Sequence, residues 1–170
     1  MENLTGVVHR YLNRPGFGPI NAPELLGSAL PNLARQRSQI VWSAEQMRSE
    51  LDEFSIDIGV IFPDHFLMIA ALPNASYAGA IARAYHHWLK NHWLHEDNDL
   101  YGMIIAIHQD PEEAAREISR WADDKRFVGV YLPICQVYPL WGHRRYDPVF
   151  AAAQRHDLPL ILHSVGAPGG

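Results

Sequence analysis

A histidine at the end of a short apolar run is the residue of this sequence best placed to do chemistry. His163 closes the run Leu158–Leu162, and turn-forming residues 164–170 follow it. Such a run predicts a strand buried on both faces, as in parallel sheets. A metal-capable side chain at the C-terminal end of such a strand sits where α/β proteins place their reactive groups. From position alone, a structural histidine bonded to backbone is the better interpretation.

Other candidate groups follow two of the predicted strands and would lie at the same edge. His65 and His143 each occur in a loop after a strand, where loops of this fold class bind substrates. Trp141 could form the wall of a pocket, and Arg144 or Arg145 could bind a carboxylate. We therefore take His65, Trp141 and His143 as candidate substrate-binding residues. An ordinary exposed loop is the competing interpretation, since loops are polar in any case.

The remaining histidines are better explained by structure. His92, His95 and Glu96 have the spacing of one helical face and could chelate an adventitious metal ion, but a solvated helix end is the favoured interpretation. His87 falls on the polar face of the same predicted helix, which also contains His86. We therefore expect His87 to be exposed.

Composition restricts the class of protein. Of the 170 residues, 48% are hydrophobic and 19% charged, and the net charge is −5. These values are typical of a globular domain and give no basic footprint for nucleic acid or an anionic membrane. A single cysteine, Cys135, cannot form an internal disulfide bond, and neither a signal peptide nor an 18-residue apolar stretch is apparent. The sequence predicts a soluble cytoplasmic protein.

Regular patterns begin at Ser43, after an irregular segment over residues 1–42. Ser43, Asp110 and Asp147 are predicted N-caps of helices. The predicted strands are Ile56–Phe62, Leu100–Ile107, Phe127–Leu132 and Leu158–Leu162, with a long amphipathic helix between the first two. Strands that alternate with helices predict a parallel sheet. Four strands suit either a small open sheet or half of a (β/α)8 barrel, and a complete barrel needs at least about 200 residues.

Six short motifs follow one another in a fixed order through the second half of the sequence. They are Ala-Arg-Ala-Tyr-His-His-Trp-Leu (82–89), Tyr-Gly-Met (101–103), Gln-Asp-Pro-Glu-Glu-Ala-Ala (109–115), Phe-Val-Gly-Val-Tyr-Leu (127–132), Tyr-Asp-Pro-Val-Phe (146–150) and Leu-Pro-Leu-Ile-Leu-His-Ser (158–164). In this order and spacing they resemble the amidohydrolase-related proteins of the aminocarboxymuconate-semialdehyde decarboxylase type. The resemblance covers about residues 56 to 166.

The resemblance implies a fold and a metal site. Members of the family are distorted (β/α)8 barrels that bind a divalent metal, usually zinc, at the C-terminal face. The fifth-strand metal ligand of the family corresponds to His163. The family's His-x-His pair is missing from this sequence, and asparagine is usual where His86 stands. The resemblance thus implies a partial barrel, about strands two to five, in a single incomplete domain over residues 1–170.

The function implied is that of a metal-dependent hydrolase or decarboxylase acting on a small carboxylated, amide or ester substrate. No residue of this chain is assigned as the catalytic acid or base, and the isolated chain is expected to be inactive. A second hypothesis is a non-catalytic half-barrel that covers its exposed strands by forming a homodimer or by binding a partner. A third is that the 170 residues are a fragment of a longer product.

Overall fold

The computed structural model of the protein describes residues 43–97, 99–134 and 137–163, apart from the side chains of residues 64, 65, 67 and 68. The irregular segment predicted over residues 1–42, Cys135 and the residues after His163 lie outside this description. The strands are β1 (Gly59–Ile61), β2 (Leu100–Ile105), β3 (Phe127–Pro133) and β4 (Leu160–His163). The helices are α1 (Ala44–Glu53), α2 (Ala75–Leu89), α3 (Pro111–Trp121) and α4 (Asp147–Arg155). Short 3-10 helices span Asp64–Ala71 and Arg144–Tyr146, and a π-helical turn, Lys90–Leu94, extends α2.

The four strands form one parallel sheet in the order β1-β2-β3-β4. Each strand is therefore hydrogen-bonded to the next strand along the chain, and a helix lies in every connection between them. The sheet curls into half of a (β/α)8 barrel, which confirms the predicted fold. Among the described residues, no helix is both long enough and apolar enough to cross a membrane.

Two of the predicted helix starts are confirmed at atomic detail. Ser43 has an extended backbone, and its hydroxyl accepts a hydrogen bond from the backbone N–H of Gln46 at 3.2 Å. The Asp110 carboxylate accepts from the N–H of Glu113 at 3.0 Å, and Pro111 occupies the first helical position. Each cap satisfies a backbone donor that the first turn of a helix leaves unbonded.

The prediction of Asp147 as an N-cap is wrong. The short 3-10 helix Arg144–Tyr146 runs directly into α4, so Asp147 already has helical backbone angles, with φ −51° and ψ −37°. Tyr146 is the cap residue instead, and it makes no side-chain capping bond. Asp147 still places a negative charge in the first turn, where the helix dipole favours it.

The buried face of α2 is rotated from the predicted one. The sequence pattern places Tyr77, Ile81, Ala84, Tyr85, Trp88 and Leu89 on one apolar face of this helix. Of these, Tyr77, Ala84 and Trp88 are exposed. The buried positions of α2 are Ala78, Gly79, Ile81, Ala82, Tyr85, His86 and Leu89. Three of these seven residues are alanine or glycine, which lets α2 pack closely against β2. The predicted exposure of His87 is confirmed, whereas its neighbour His86 is fully buried.

Gly102 of β2 permits the close approach of α2. A Cβ atom added there would lie 2.5 Å from Cδ2 of Leu89 and 3.3 Å from Cδ1 of Leu94. Both leucines are fully buried, so neither can move away without disturbing its own packing.

We expect the substitution Gly102→Ala to destabilise the protein by about 1–3 kcal/mol, the usual cost of overpacking a core. The free energy of unfolding from urea denaturation provides the measurement. Gly142→Ala is the matched control, since no atom lies within 4 Å of a Cβ added at that glycine. Equal stabilities of the two variants would contradict this account of the packing of α2 on β2.

Candidate active site

Most of the candidate reactive residues lie at the carboxyl ends of the strands. Because the strands are parallel, the connectors that follow β1, β2 and β3 all begin at the same edge of the sheet, and His163 ends β4 there. We call this edge the carboxyl edge. Enzymes with this architecture carry their active sites at the corresponding edge.

His163 is the last described residue of the chain and lies in register with Pro133 of β3. Its carbonyl oxygen accepts a hydrogen bond from the N–H of Ile134 at 3.1 Å, which fixes the backbone at the end of β4. The half-buried imidazole is 5.6 Å from the Tyr131 ring and 6.5 Å from the Phe62 ring, between centroids. His163 therefore lies in an aromatic cluster contributed by three strands or their ends.

The connector after β2 is bonded to the connector after β1. His108 Nε2 lies 2.8 Å from the carbonyl oxygen of Ala70 and must donate, since a carbonyl can only accept. The Gln109 amide donates to the carbonyls of Ile69 and Leu72, at 2.7 and 2.9 Å. These three bonds hold the end of the 3-10 helix Asp64–Ala71 against the carboxyl edge. That 3-10 helix contains His65, whose side chain lies outside the described structure.

The connector after β3 folds back on its own strand. Trp141 is buried, donates its indole N–H to the carbonyl of Pro133 at 2.9 Å, and packs on the Tyr146 ring at 4.5 Å. His143 is exposed, and its Nδ1 accepts the backbone N–H of Arg145 at 3.2 Å. Arg145 donates from Nη2 to the carbonyl of Gln109 at 3.3 Å, which links the connectors after β2 and β3.

The substrate-binding roles proposed for His65, Trp141 and His143 stay predictions. Trp141 and His143 belong to one connector at the carboxyl edge, and the backbone of His65 belongs to another. Their described contacts are structural: Trp141 is bonded to backbone, and His143 caps a 3-10 turn. His108 was missed by sequence reasoning, although its position just after the β2 run parallels that of His163 after β4.

A buried polar network under the carboxyl edge was also missed. The backbone N–H of Ile105 donates to His86 Nε2 at 2.8 Å, so this nitrogen carries no proton. Nδ1 must then carry the proton of the neutral ring, and it faces Glu117 Oε2 at 3.4 Å. Glu117 also accepts from the Trp121 indole at 3.0 Å and pairs with Arg120. His86 thereby joins helices α2 and α3 to strand β2.

Burial and hydrogen bonding set the protonation states of this pair. Burial lowers the pKa of His86, and the neighbouring Glu117 only partly opposes that shift. Burial would raise the pKa of Glu117, but hydrogen bonds from His86 and Trp121 and the charge of Arg120 outweigh it, so that this pKa is lowered. Neutral His86 beside ionised Glu117 is the form that the geometry requires.

The described residues do not complete a metal site. Within residues 43–97, 99–134 and 137–163, no group of three or more His, Cys, Asp or Glu side chains is arranged to hold a metal ion. A catalytic zinc needs three protein ligands and an open position. His92, His95 and Glu96 are all exposed near the end of the π-helical turn, as expected for a solvated helix end. The prediction of His163 as a metal ligand therefore stays a prediction, and it would need further ligands beside it.

Comparison with known proteins identifies the family. The family model described as amidohydrolase matches residues 36–169, which is most of the chain. The chain belongs to the amidohydrolase family. No curated protein sequence matches this chain.

Solved structures similar to this amidohydrolase include decarboxylases. A manganese-bound mutant of the 5-carboxyvanillate decarboxylase from Novosphingobium aromaticivorans is 25% identical, with a TM-score of 0.62 over 69% of this chain and 34% of that one. A second structure of that enzyme, with manganese and 4-hydroxy-3-methoxy-5-nitrobenzoic acid, gives a TM-score of 0.74 at 22% identity, over 93% of this chain and 46% of that one. The 2,6-dihydroxybenzoate decarboxylase from Rhizobium gives 0.63 at 20% identity, over 83% of this chain and 46% of that one. This amidohydrolase thus spans less than half the length of these decarboxylases.

The His86 network makes a prediction about pH. Because the folded state lowers the pKa of His86, the unfolded chain binds more protons below the unfolded value of about 6.5, and stability should fall as pH drops through and below that value. Glu117 acts in the same direction at lower pH, because its pKa is also lowered on folding. We expect His86→Ala to cost about 2–4 kcal/mol at pH 7.5, since it leaves the buried Ile105 N–H without an acceptor and removes one of the two buried donors to Glu117.

Urea denaturation of the two proteins between pH 7.5 and 5 measures both effects. His86→Ala should show a weaker loss of stability on acidification than the unsubstituted protein. His92→Ala, at an exposed position of the adjoining turn, is the control and should behave like the unsubstituted protein. The same pH dependence in His86→Ala and in the unsubstituted protein would show that His86 is not the titrating group.

Proposed function

We propose that this chain, a member of the amidohydrolase family, provides part of the active site of a metal-dependent decarboxylase that acts on an aromatic carboxylate. The observation that carries the proposal is the position of His163 at the carboxyl edge, within the aromatic cluster that it forms with Phe62 and Tyr131. An imidazole at a barrel strand end suits a divalent metal, and the exposed ring of Phe62 suits a flat substrate. The similar solved structures include enzymes named as decarboxylases of two phenolic carboxylates.

His163 would be one ligand of the metal. Its strand-end position, with the backbone fixed by Ile134, holds the imidazole on a rigid element rather than on a loop. The metal would be divalent; manganese is present in the structures of the similar 5-carboxyvanillate decarboxylase, and zinc was expected from the sequence. Among the described residues, no group of three or more His, Cys, Asp or Glu side chains completes the ligand set.

The reaction breaks the bond between a ring carbon and its carboxylate. The electron pair of that bond stays on the ring carbon, carbon dioxide leaves, and a proton takes its place on the carbon. A bound divalent metal would stabilise the negative charge that develops. We assign the proton donor to none of the described residues. Hydrolysis of an amide or ester remains the alternative reaction for the same metal site.

Metal binding tests this proposal directly. We expect the protein to bind Mn²⁺ at a saturable site and His163→Ala to weaken that binding by more than about tenfold, the effect seen even when groups that only support a ligand are removed. The electron paramagnetic resonance signal of free Mn²⁺ reports the bound fraction.

His92→Ala is the matched control, because His92 belongs to the exposed set that could chelate metal adventitiously. An equal loss in His92→Ala, with none in His163→Ala, would place the metal on the helix end. Absence of saturable Mn²⁺ binding by the unsubstituted protein would contradict the proposed function for this chain. Release of carbon dioxide from hydroxybenzoates, measured with and without Mn²⁺, would distinguish decarboxylation from hydrolysis of the corresponding esters.

A second candidate function is supported by the exposed apolar residues of the outer strands. Ile58, Val60 and Phe62 alternate along β1 and its flanks with exposures of 57%, 43% and 41%, and Leu162 of β4 is 62% exposed. Large apolar side chains exposed on sheet strands are candidates for an interface. A homodimer would cover it without any metal. Analytical ultracentrifugation should then find a dimer whose stability is unaffected by a chelator, whereas a monomer at micromolar concentration would contradict this candidate.

A further inference from the structure

Arg145 differs from most of the arginines of the described structure in that no acidic side chain neutralises its charge. Most of the described arginines form ion pairs with aspartate or glutamate, namely Arg48, Arg83, Arg116, Arg120 and Arg126. Arg145 forms no ion pair within the described residues, and its one side-chain hydrogen bond is to the backbone carbonyl of Gln109. Its positive charge is therefore available to a ligand.

The guanidinium of Arg145 is nevertheless held in place. Its central carbon lies 5.3 Å from the centre of the Tyr146 ring, a distance typical of a cation–π contact. Tyr146 is fully buried and donates its hydroxyl hydrogen to the carbonyl of Pro139 at 2.9 Å, so the surface beneath the guanidinium is rigid. The backbone N–H of Arg145 is bonded to His143. A preorganised guanidinium loses little side-chain freedom when it binds an anion.

The position of Arg145 directs its charge toward the carboxyl edge. The hydrogen bond to Gln109 places the guanidinium between the connectors that follow β2 and β3. Its charge is close enough to His108 to contribute to lowering the pKa of that histidine, after the larger effect of burial. His108 and Gln109 in turn contact the connector after β1. Arg145 thus lies at the point where three connectors of the candidate active site meet.

We propose that Arg145 is the residue that selects carboxylated substrates at the rim of the carboxyl edge. The planar guanidinium matches a planar carboxylate, with which it can form two parallel hydrogen bonds. This inference rests on the proposed decarboxylase function and names the residue that recognises the charge of its substrate. Arg144, adjacent in sequence and also exposed, makes no side-chain bond within the described structure, so its guanidinium is not preorganised.

A guanidinium on the rim should act on binding rather than on the bond-breaking step. A hydrogen-bonded ion pair with the departing carboxylate stabilises the ground state, and retaining it in the transition state would not help carbon dioxide to leave. An exposed charge does, however, attract anionic substrate and orient it on arrival. Arg145 is accordingly a specificity-determining residue, and its loss should raise KM and leave kcat nearly unchanged.

Equilibrium binding to the full chain tests the inference. The probe is 4-hydroxy-3-methoxy-5-nitrobenzoate, followed by the absorbance of its nitrophenol group, and its methyl ester is the probe without the carboxylate charge. We expect Arg145→Gln to weaken binding of the acid by about tenfold, as for loss of a charge-assisted hydrogen bond, and to leave binding of the ester unchanged. Arg145→Lys should bind the acid more tightly than Arg145→Gln and less tightly than the unsubstituted protein. Lysine keeps the positive charge but cannot form the two parallel hydrogen bonds of a guanidinium. Arg144→Gln is the matched control and should bind both probes normally.

Four results would overturn the inference. Equal weakening of acid and ester in Arg145→Gln would mean that Arg145 only supports the connector through Gln109. Equal effects of Arg144→Gln and Arg145→Gln would indicate a diffuse charge effect. Inorganic phosphate that displaced the acid at similar concentration would indicate a general anion site. Equal affinity of the unsubstituted protein for the acid and the ester would show that it has no carboxylate receptor.

Failure of this inference is separable from failure of the proposed function. Arg145 is not a metal ligand candidate, so Mn²⁺ binding of Arg145→Gln should match that of the unsubstituted protein. If Arg145→Gln binds both Mn²⁺ and the acid as the unsubstituted protein does, the proposed role of Arg145 is wrong. The metal-dependent function is not affected by that result. Loss of Mn²⁺ binding in the unsubstituted protein would instead remove the metal-dependent function.

Discussion

The hydrogen bond between the Ile105 N–H and His86 compensates for the shortness of β1. The β1–β2 ladder stops at the pair Ile61 and Gly102, three residues before β2 ends. Backbone donors of β2 alternate in direction, so the N–H of Ile105 points to the side that β1 no longer covers. A buried N–H without a partner would cost about 1–3 kcal/mol. The imidazole of His86 takes the place that a longer β1 would have filled, and it allows the sheet to open at this edge.

The opening has a consequence for the carboxyl edge. Because β1 stops early, the chain after it forms the 3-10 helix Asp64–Ala71 instead of continuing as a strand. The carbonyls at the end of that helix then become acceptors for His108 and Gln109. The position of the connectors around the candidate active site therefore depends on a histidine of α2 and a glutamate of α3 that are buried beneath it.

The alternation of strands and helices was predictable because it rests on local patterns. The Asp110 cap with Pro111, and the apolar runs of β2 and β3, are signals contained within a few residues, and the structure confirms them. The burial of His86 was not predictable in this way, since a polar residue next to an exposed histidine gives no sign of its partners. Ile105 and Glu117 are 19 and 31 residues away in the sequence. Only the packing of α2 against β2 and α3 brings these groups together.

In the candidate active site too, local patterns could be predicted from the sequence, but contacts between distant residues could not. The position of His163 at the end of β4 could be predicted from the apolar run before it, because such a run is typical of a parallel strand. The choice between Arg144 and Arg145 could not be made, since the two arginines are adjacent in an irregular connector. It is the contact with Tyr146 and the bond to Gln109 that distinguish them, and both depend on the folding of the connector.

Charged side chains are neutralised differently among the helices and at the carboxyl edge of the sheet. On the helical side, Arg83, Arg120 and Lys90 are each compensated by an acidic group of α3 or of the turn after it. Ion-paired charges stabilise the packing of the helices, and they attract a charged ligand only weakly. At the carboxyl edge, the described structure leaves the charge of Arg145 uncompensated by any acidic side chain. A protein with a net charge of −5 would repel anionic substrates at long range. In the proposed function, the fixed positive charge of Arg145 at the rim of the carboxyl edge would counteract this repulsion where an anionic substrate would enter.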